Sequence, residues 1–478
     1  MNPRFQEHFY THKTDQKFHR IQETQMGSLQ EQRLKKVVLV PFPFQGHITP
    51  MLQLGSLLHS KGFSVVISHT QFNAPDIADH PDFVLLPLPD DVGGLDMSFD
   101  NMLNVISAMN TNCEAPFRDH MVQMLQKEEV GCVIHDSIMK FADEVANDLR
   151  IPSIVLGTSN ASYSDSLCAM LELLDKKLLP LPESQLQESV PNAHPLRYKD
   201  LALSASSEIP DIVIDFTRSY IDKKAASAFI WNTVDMLEHQ SLQKLQHHYN
   251  VPFFTVGPLH KMAPPSRTSL IKEETACLAW LDNQAPRSVI YVSLGSLATI
   301  EEEELIDMAW GLANSDQPFL WVIRPSLVNG SEWIKCLPED FVEKTRERGC
   351  IVQWAPQKEV LSHPGIGGFL THCGWNSTLE SICEGVPMIC RPCFADQLVD
   401  SRYLTHVWRV GLELEKNSGR LGIENAVRTI LTSKEGEEMK VRASGMKQEM
   451  ERCVLKGGSS YNSLCELVEY ISTLPRKI

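Results

Sequence analysis

Residues 371–381, THCGWNSTLES, place several hydrogen-bond donors around one glycine. His372, Asn376 and Ser377 carry N–H or O–H groups, and Gly374 lets a ligand approach the backbone closely. Such donors suit the oxygens of a phosphate or diphosphate, above all where the N–H groups at the start of a helix point at the same place. The stretch therefore predicts a local anion site.

A strand and a helix are predicted on either side of this stretch. The apolar run 365–370 is typical of a buried strand. Ser377 and Glu380 are spaced as in a capping box, which predicts a helix that begins near Asn376 or Ser377 and ends at 385–387. Capping boxes are common, so these residues alone favour helix capping over phosphate binding.

His47 and Asp136 have the types and placement needed for acid–base chemistry. His47 lies in PFQGHITP after the predicted strand 37–40, and Asp136 ends the strand of VIHDS. Parallel strands end at one sheet edge, so the carboxylate could fix the tautomer of the imidazole and stabilise the imidazolium. We expect the dipole of the following helix to lower the pKa of His47. Taken alone, such a histidine is more often structural, and such an aspartate often caps a helix.

A much longer pattern surrounds the predicted anion site. Residues 354–397, WAPQKEVLSHPGIGGFLTHCGWNSTLESICEGVPMICRPCFADQ, begin with Trp-Ala-Pro-Gln, contain His-Cys-Gly-Trp-Asn-Ser and Glu, and end in Asp-Gln. This segment closely resembles the 44-residue box of plant family-1 UDP-glycosyltransferases, which have the GT-B fold. The resemblance covers essentially the whole chain from about residue 34. It is strongest to the group-76 enzymes, judged from GSLA, MAWGL, QPFLWVIRP and PMICRP.

The resemblance implies a set of residues that bind a UDP-sugar. They are Thr158, Ser296, Trp354, Ala355, Gln357, His372, Gly374, Trp375, Asn376, Ser377, Glu380, Asp396 and Gln397. Trp354 would stack on the uracil, Gln357 would reach the nucleoside, and Glu380 would accept hydrogen bonds from the ribose hydroxyls. UDP-glucose would thus be a co-substrate.

The diphosphate and the sugar are implied to lie beyond the ribose. The diphosphate would contact the donors of residues 371–381 and Ser296 in the SLGS turn, with Trp375 contributing its backbone. Asp396 and Gln397 would bind sugar hydroxyls, and in this family a terminal Gln often accompanies glucose. Thr158 would touch the sugar or the diphosphate.

The same resemblance implies an inverting transfer. His47 would be the general base and Asp136 its orienting partner. The acceptor pocket is expected near Phe44, Met109 and Phe141 and the helix around 163–174, and this placement rests on adjacency alone. The acceptor, a small plant metabolite, could offer either a hydroxyl or a carboxylate.

The elements that position these residues form two series of alternating strands and helices. KKVVLVPFPFQGHITPMLQLGSLLHSKGFSVVISHT reads as strand, turn, helix and strand, and a second series begins near residue 288. This predicts an α/β protein of the GT-B type, with two doubly wound, Rossmann-like domains facing a cleft. The predicted parts are a disordered extension 1–33, an acceptor-binding domain 34–258, a linker 259–275, a UDP-sugar-binding domain 276–457 and a C-terminal helix 458–478 that packs back on the first domain.

Composition excludes several other functions. The net charge of −16 argues against binding nucleic acid or an anionic membrane, and no apolar run reaches the ~18 residues that span a bilayer. The 12 scattered cysteines indicate a reducing compartment, so we expect a cytoplasmic monomer. No two Asp stand two apart, so the Asp-x-Asp that holds a cation in other nucleotide-sugar enzymes is missing. We therefore expect that the protein uses neither a metal ion nor another cofactor.

Two other classes of protein remain as alternatives. An NAD-dependent oxidoreductase requires G-x-G-x-x-G after a strand, but GIGGFL breaks that spacing and PFPFQGH has a single Gly. A nucleotide-sugar binding protein without activity would not need the pair His47 and Asp136, and both are present.

Overall fold

The computed structural model describes residues 35–97, 101–127, 129–202, 209–265, 267–328, 337–415 and 417–475. The extension predicted for residues 1–33 lies outside the described residues. In the described part of the chain, strands and helices alternate and build two parallel β-sheets, one from each half of the sequence. The α/β class with two doubly wound domains is therefore confirmed.

The first sheet pairs its described strands in the order β3-β2-β1-β4-β5-β6-β7. These strands are β1 Lys36–Val40, β2 Ser64–Thr70, β3 Val84–Leu88, β4 Val130–Asp136, β5 Ser153–Gly157, β6 Ala228–Trp231 and β7 Phe253–Thr255. In β1, Val37 and Leu39 pack into the core on one face, and Val38 and Val40 pack into the core on the other. Such burial on both faces is why β1 is continuously apolar.

The helices of this half begin where the strands end. They are α1 Gln45–Ser60, α2 Met102–Lys127, α3 Lys140–Asp148, α4 Ala161–Asp175, α5 Asp211–Ile221, α6 Asp235–Tyr249 and α7 Leu259–Met262. Phe44 is extended and precedes α1, so His47 lies in the first turn of that helix. Asp136 is the last residue of β4, which pairs with β1. The strand order therefore brings these two residues to one edge of the sheet.

The second sheet pairs its described strands in the order β10-β9-β8-β11-β12-β13. The strands are β8 Val289–Ser293, β9 Phe319–Val322, β10 Gly349–Val352, β11 Ile366–Thr371, β12 Met388–Cys390 and β13 Gly411–Glu413. The helices are α8 Ala276–Leu281, α9 Glu302–Ser315, α10 Glu339–Thr345, α11 Gln357–Ser362, α12 Trp375–Glu384, α13 Gln397–Arg402, α14 Gly419–Thr432 and α15 Lys434–Val454. Because β8 pairs with β11, the SLGS turn and residues 371–381 are neighbours.

The last helix, α16 Ser459–Thr473, packs on the first domain. Leu464, Leu467 and Ile471 belong to the same buried cluster as the apolar side chains of β1 and α1. Lys35 Nζ donates hydrogen bonds to the carbonyl oxygens of Ser472 at 2.7 Å and Leu474 at 2.8 Å. The end of the chain is thus tied to the start of the first sheet.

Two further features of the described residues concern the apolar length of the helices and the state of the cysteines. Within the ranges that the structure describes, no helix combines the length and the apolar character needed to cross a bilayer. The cysteines within those ranges are free thiols.

Leu467→Ala should destabilise the protein, because the lost side chain is fully buried between α16 and the first sheet. Removing a buried leucine costs about 2–5 kcal/mol of unfolding free energy. Cys465→Ala is the matched control, since Cys465 is exposed on the same helix. Urea unfolding of both variants checks this, and equal midpoints would contradict the packing of α16.

Candidate active site

A cavity of about 1110 Å³ lies between the two domains, and residues of both domains line it. Loops that follow the strands contribute to it, as is usual for open α/β sheets. All the residues implied to bind a UDP-sugar line this cavity, from Thr158 to Gln397. His47 also lines it, whereas Asp136 is fully buried beneath the imidazole.

His47, Asp136 and Thr158 form a compact hydrogen-bonded group. His47 Nδ1 is 2.8 Å from Asp136 Oδ2 and 2.8 Å from Thr158 Oγ1. Thr158 Oγ1 donates to the same carboxylate oxygen at 3.0 Å, and the N–H of Ile138 donates to the other at 2.9 Å. The carboxylate therefore holds the proton of His47 on Nδ1 and leaves Nε2, on the far side of the ring, to accept a proton. The hydroxyl of Thr158 serves this pair, although the resemblance implied a contact with the sugar or diphosphate.

The pKa of His47 is raised, which corrects the expectation that the helix dipole would lower it. Burial does lower this pKa, but the charge and hydrogen bond of Asp136, together with the charge of Asp396, outweigh burial. Burial raises the pKa of Asp136, and the contact with His47 outweighs it, so that pKa falls. The charge and hydrogen bond of the adjacent carboxylate thus decide the direction of the shift.

The start of α12 differs from the predicted capping box. Gly374 is the N-cap, with φ −60° and ψ 144°, and no described side chain caps the helix. Ser377 Oγ instead accepts a hydrogen bond of 2.9 Å from Gln357 Nε2. The first N–H groups of α12 are consequently left for a ligand in the cavity, where the helix dipole favours an anion.

His372 is held between two glycines. A Cβ at Gly295 or at Gly374 would lie 2.5 Å from His372 Nε2, so only glycine leaves room for this ring. Burial, and then the charge of Arg324, lower the pKa of His372 to about 4. The ring is therefore neutral near pH 7 and carries a single N–H that a diphosphate oxygen could accept.

Arg324 is a charged residue that the sequence analysis missed. It is 5% exposed, its Nε donates to the carbonyl oxygen of Gly295 at 3.1 Å, and its guanidinium also contacts the carbonyl oxygen of Ala298. These contacts hold the turn that carries Ser296. Burial lowers the pKa of Arg324 to about 10, which leaves the side chain a cation near pH 7. An arginine directly after the apolar strand β9 was the available signal.

The nucleoside end of the cavity is organised around Gln357. Gln357 Nε2 donates to Glu380 Oε2 at 2.7 Å, and Gln357 Oε1 accepts from the hydroxyl of Tyr291 at 3.2 Å. Burial raises the pKa of Glu380 to about 7, against the opposing hydrogen bond from Gln357. Tyr291, a second residue that the sequence analysis missed, thus fixes which way the amide of Gln357 points.

The predicted linker also contributes to this end of the cavity. Trp354 Nε1 donates to Ser269 Oγ at 3.1 Å. Gln45 Nε2 donates to the carbonyl oxygen of Thr268 at 3.1 Å, and Gln45 Oε1 accepts from the N–H of Leu270 at 2.7 Å. The linker therefore connects the indole of Trp354, which would stack on the uracil, to the first turn of α1.

Asp396 and Gln397 lie where the second domain approaches His47. Gln397 Oε1 accepts the backbone N–H groups of Cys393 at 2.9 Å and Phe394 at 3.2 Å, which leaves its amide NH₂ for a ligand. Burial raises the pKa of Asp396, although the charge of His47 acts to lower it. One amide and one carboxyl group can therefore contact a sugar at this end.

Asn376 and Trp375 are partly engaged by the first domain. Asn376 Nδ2 donates to the carbonyl oxygen of Gly46 at 2.7 Å, and Trp375 Nε1 donates to that of Asn232 at 2.8 Å. The side chain of Asn376, implied to hold the diphosphate, thus also links α12 to the residue before His47.

The three residues predicted to bind the acceptor do not line the cavity. Phe44, Met109 and Phe141 are at most 4% exposed and belong to one core cluster of the first domain. The structure thus places all three in the core and not at the cavity surface, because adjacency to the sheet edge does not say which side of a loop or helix faces the cavity. Ile106 lies one turn before Met109 on α2 and does line it.

The residues of the first domain that line the cavity are termed here the N-domain wall. Tyr163, Leu167 and Met170 come from one face of α4, within the predicted segment 163–174. Its other members include Phe42, Met97, Met102, Leu103, Ile106, Val213, Phe216, Thr217 and Tyr220.

In the part of the chain that the structure describes, no group of three or more His, Cys, Asp or Glu side chains could hold a metal ion.

Comparisons with known proteins identify relatives of the whole chain. Residues 90–451 match the family model "UDP-glucoronosyl and UDP-glucosyl transferase". UDP-glycosyltransferase 76E1 of Solanum lycopersicum is 49% identical over 94% of both chains. Flavonol 3-O-glucosyltransferase UGT76E12 of Arabidopsis thaliana is 43% identical over 94% of this chain and 99% of that one. The resemblance to group-76 enzymes is thereby confirmed.

Solved structures agree with this result. A UDP-glucose:anthocyanidin 3-O-glucosyltransferase in complex with UDP has a TM-score of 0.80 at 27% identity, covering 92% of this chain and 99% of that one. Phytolacca americana UGT2, complexed with UDP-2fluoro-glucose and pterostilbene, has a TM-score of 0.77 at 28% identity, covering 92% and 100%. These matches confirm the GT-B fold.

The affinity for UDP-glucose should depend on pH through Glu380. Its pKa of about 7 means that the carboxylate, the better acceptor for ribose hydroxyls, is lost as the pH falls below 7. The Kd of UDP-glucose should rise roughly fivefold between about pH 8 and about pH 6. Calorimetry would measure it, and Glu380→Gln, which cannot titrate, should show a flat profile. A wild-type profile equally flat would contradict this role.

Arg324→Met should weaken UDP-glucose binding by about tenfold or more, because a buried cation near the predicted diphosphate site is lost. Arg324→Lys keeps the charge but not the two carbonyl contacts, so an intermediate Kd is expected. Melting temperatures would show whether each variant folds. Unchanged affinity in a folded Met variant would remove Arg324 from the site.

Proposed function

We propose, since this chain belongs to the UDP-glucuronosyl and UDP-glucosyl transferase family, that it transfers glucose from UDP-glucose to a small acceptor and inverts the anomeric carbon. Membership makes the protein a UDP-sugar-dependent O-glycosyltransferase. The choice of glucose, the inversion and the roles of single residues are the proposal. The contact of 2.8 Å between His47 Nδ1 and Asp136 Oδ2, with Nε2 left for the cavity, carries it.

The proposed reaction is a single displacement. His47 Nε2 takes the proton of the acceptor hydroxyl, and the acceptor oxygen attacks C1 of the sugar. The bond between C1 and the phosphate oxygen breaks, and UDP leaves. The imidazolium that forms is stabilised by Asp136. Base and diphosphate belong to opposite domains, so attack and departure occur on opposite faces of C1, which inverts it.

The charge that develops on the leaving diphosphate needs stabilisation from the second domain. The N-terminus of α12 offers backbone N–H groups, His372 offers one side-chain N–H, and Arg324 places a positive charge behind them. The ring of His372 is held between Gly295 and Gly374, and Arg324 is held by its contact with the SLGS turn, so these groups are preorganised. We propose that they act without a metal ion or another cofactor.

Glucose is proposed as the donor sugar because Gln397 directs its amide NH₂ and Asp396 its carboxyl group to the place implied for the sugar. Similar proteins support this, since one relative is named a flavonol 3-O-glucosyltransferase. The free thiols and the net charge of −16 fit a cytoplasmic enzyme, and we propose that it acts as a monomer.

His47→Ala should lower kcat by about 10²–10⁴-fold, because no base then takes the proton of the acceptor. The Kd of UDP should not change, since His47 lies in the other domain. Product formation by mass spectrometry and UDP binding by calorimetry check both points. Turnover at the wild-type rate would remove His47 from the mechanism, and loss of UDP binding would point to a structural role instead.

Asp136→Asn tests the pair of His47 and Asp136 independently, through the pH dependence of the rate. The rate should rise with pH as His47 becomes neutral, and the raised pKa of His47 moves this limb to higher pH than the ordinary value of histidine would give. Burial lowers that pKa and Asp136 raises it, so the variant should shift the limb to lower pH and reduce kcat. A limb that stays in place would contradict the assignment.

A further inference from the structure

The charge of the N-domain wall bears on the acceptor. Among the described residues, the wall contains no Lys, Arg, Asp or Glu. His47 is its one described side chain that can become a cation near pH 7. The stretches 98–100 and 203–208, which the structure does not describe, also have no Lys or Arg in the sequence. Two cations line the cavity from outside the wall: Lys358 follows Gln357 on α11, and Arg267 lies in the linker that contacts both Trp354 and Gln45. The wall itself, as far as the structure describes it, therefore offers an acceptor no cation other than the base, His47.

The wall is built from thioethers, aliphatic chains and aromatic rings. Met97, Met102 and Met170 supply flexible, polarisable surface. The ring centroids of Phe216 and Tyr220 are 6.1 Å apart, and those of Tyr163 and Tyr220 are 6.3 Å apart. These rings form a surface against which an apolar or ring-containing molecule can pack.

The polar groups of the wall, apart from His47, are neutral. Burial raises the pKa of Tyr163 and of Tyr220 above the ordinary value of tyrosine. Both phenols therefore keep their protons near pH 7. The remaining polar members carry an amide or a hydroxyl group and are Gln45, Thr49, Thr158, Ser159 and Thr217. Hydroxyls of this kind can orient a neutral polar group but cannot offset the charge of an anion.

The charged groups near the reacting end are acidic. Asp136 lies directly against His47, and Asp396 acts on the imidazole from the second domain, as the raised pKa of His47 shows. A carboxylate brought to Nε2 would lose part of its hydration next to two acidic side chains, Asp136 and Asp396. Moving an unpaired carboxylate out of water is costly, and His47, once protonated, is already paired with Asp136.

We propose that the acceptor is an uncharged, largely apolar molecule that presents a hydroxyl, and that carboxylates are poor acceptors. This rests on the proposed function and narrows it. The acceptor O–H bond breaks, its proton passes to His47 Nε2, the new bond joins the acceptor oxygen to C1, and UDP leaves with the electrons of the C1–O bond. A glucoside is formed, not a glucose ester.

Matched acceptor pairs test this. Each pair is a hydroxylated carboxylic acid, such as 4-hydroxycinnamate, and its methyl ester, so the hydroxyl and skeleton are the same and only the charge differs. Across pairs of different skeletons, kcat/KM for the ester should exceed that for the acid by about tenfold or more. Equal or reversed ratios, or glucose esters of the acids as main products, would overturn the proposal.

The same pairs separate this proposal from the proposed function. If no hexoside forms although UDP-glucose binds, the transfer itself fails. Binding of each pair to the UDP complex, measured by fluorescence quenching, then decides the preference for a neutral molecule. Tighter binding of the esters supports it, and equal or tighter binding of the acids overturns it.

A variant can introduce the missing cation. Val213 is half-buried on α5 and lines the cavity, so Val213→Lys should narrow the ester-to-acid ratio several-fold by offering the carboxylate a partner. Ile212→Lys is the matched control, because Ile212 is 44% exposed and is not among the lining residues. Melting temperatures establish that both variants fold. An unchanged ratio in a folded Val213→Lys would count against the charge argument.

Discussion

The hydrogen bond from Asn376 Nδ2 to the carbonyl oxygen of Gly46 joins the two chemical halves of this protein. Asn376 belongs to the helix whose N-terminus faces the predicted diphosphate site, and Gly46 precedes His47. A base on one domain can act on a bond held by the other only if the domains keep a fixed separation. The contacts of Trp375 with Asn232, and of Asp400 with Asn160 at 2.5 Å, help to fix it.

The cavity is electrostatically divided along the same boundary. The second domain presents a helix N-terminus and buried Arg324, which together favour the anionic end of a nucleotide sugar. The first domain presents an apolar wall whose base is backed by Asp136. Each half thus matches one partner of the proposed reaction, the anionic donor on one side and the proposed neutral acceptor on the other.

The site shows where inference from sequence held and where it failed. The residues of the 44-residue box that were implied to bind a UDP-sugar line the cavity together, because most of them lie on the turn after β11 and on α12. The capping box did not form, because the helix begins at Trp375 with Gly374 as its N-cap, and Ser377 Oγ accepts a hydrogen bond from Gln357 instead. Phe44, Met109 and Phe141, predicted near the acceptor, lie in the core of the first domain and not at the cavity surface. Arg324 and Tyr291 were missed, because their roles depend on partners far along the chain.

The sequence by itself determined the two α/β domains, the position of His47 and Asp136 at one sheet edge, and the family of the chain. The domains and the position at the sheet edge follow from local periodicity and the order of strands and helices, and the family follows from the resemblance of residues 354–397 to a known box. Tertiary structure alone decided the sign of the pKa shift of His47, the partners of Gln357 and the composition of the N-domain wall. Each of these depends on distances between side chains that are far apart in sequence, and burial and Coulomb energies vary with those distances.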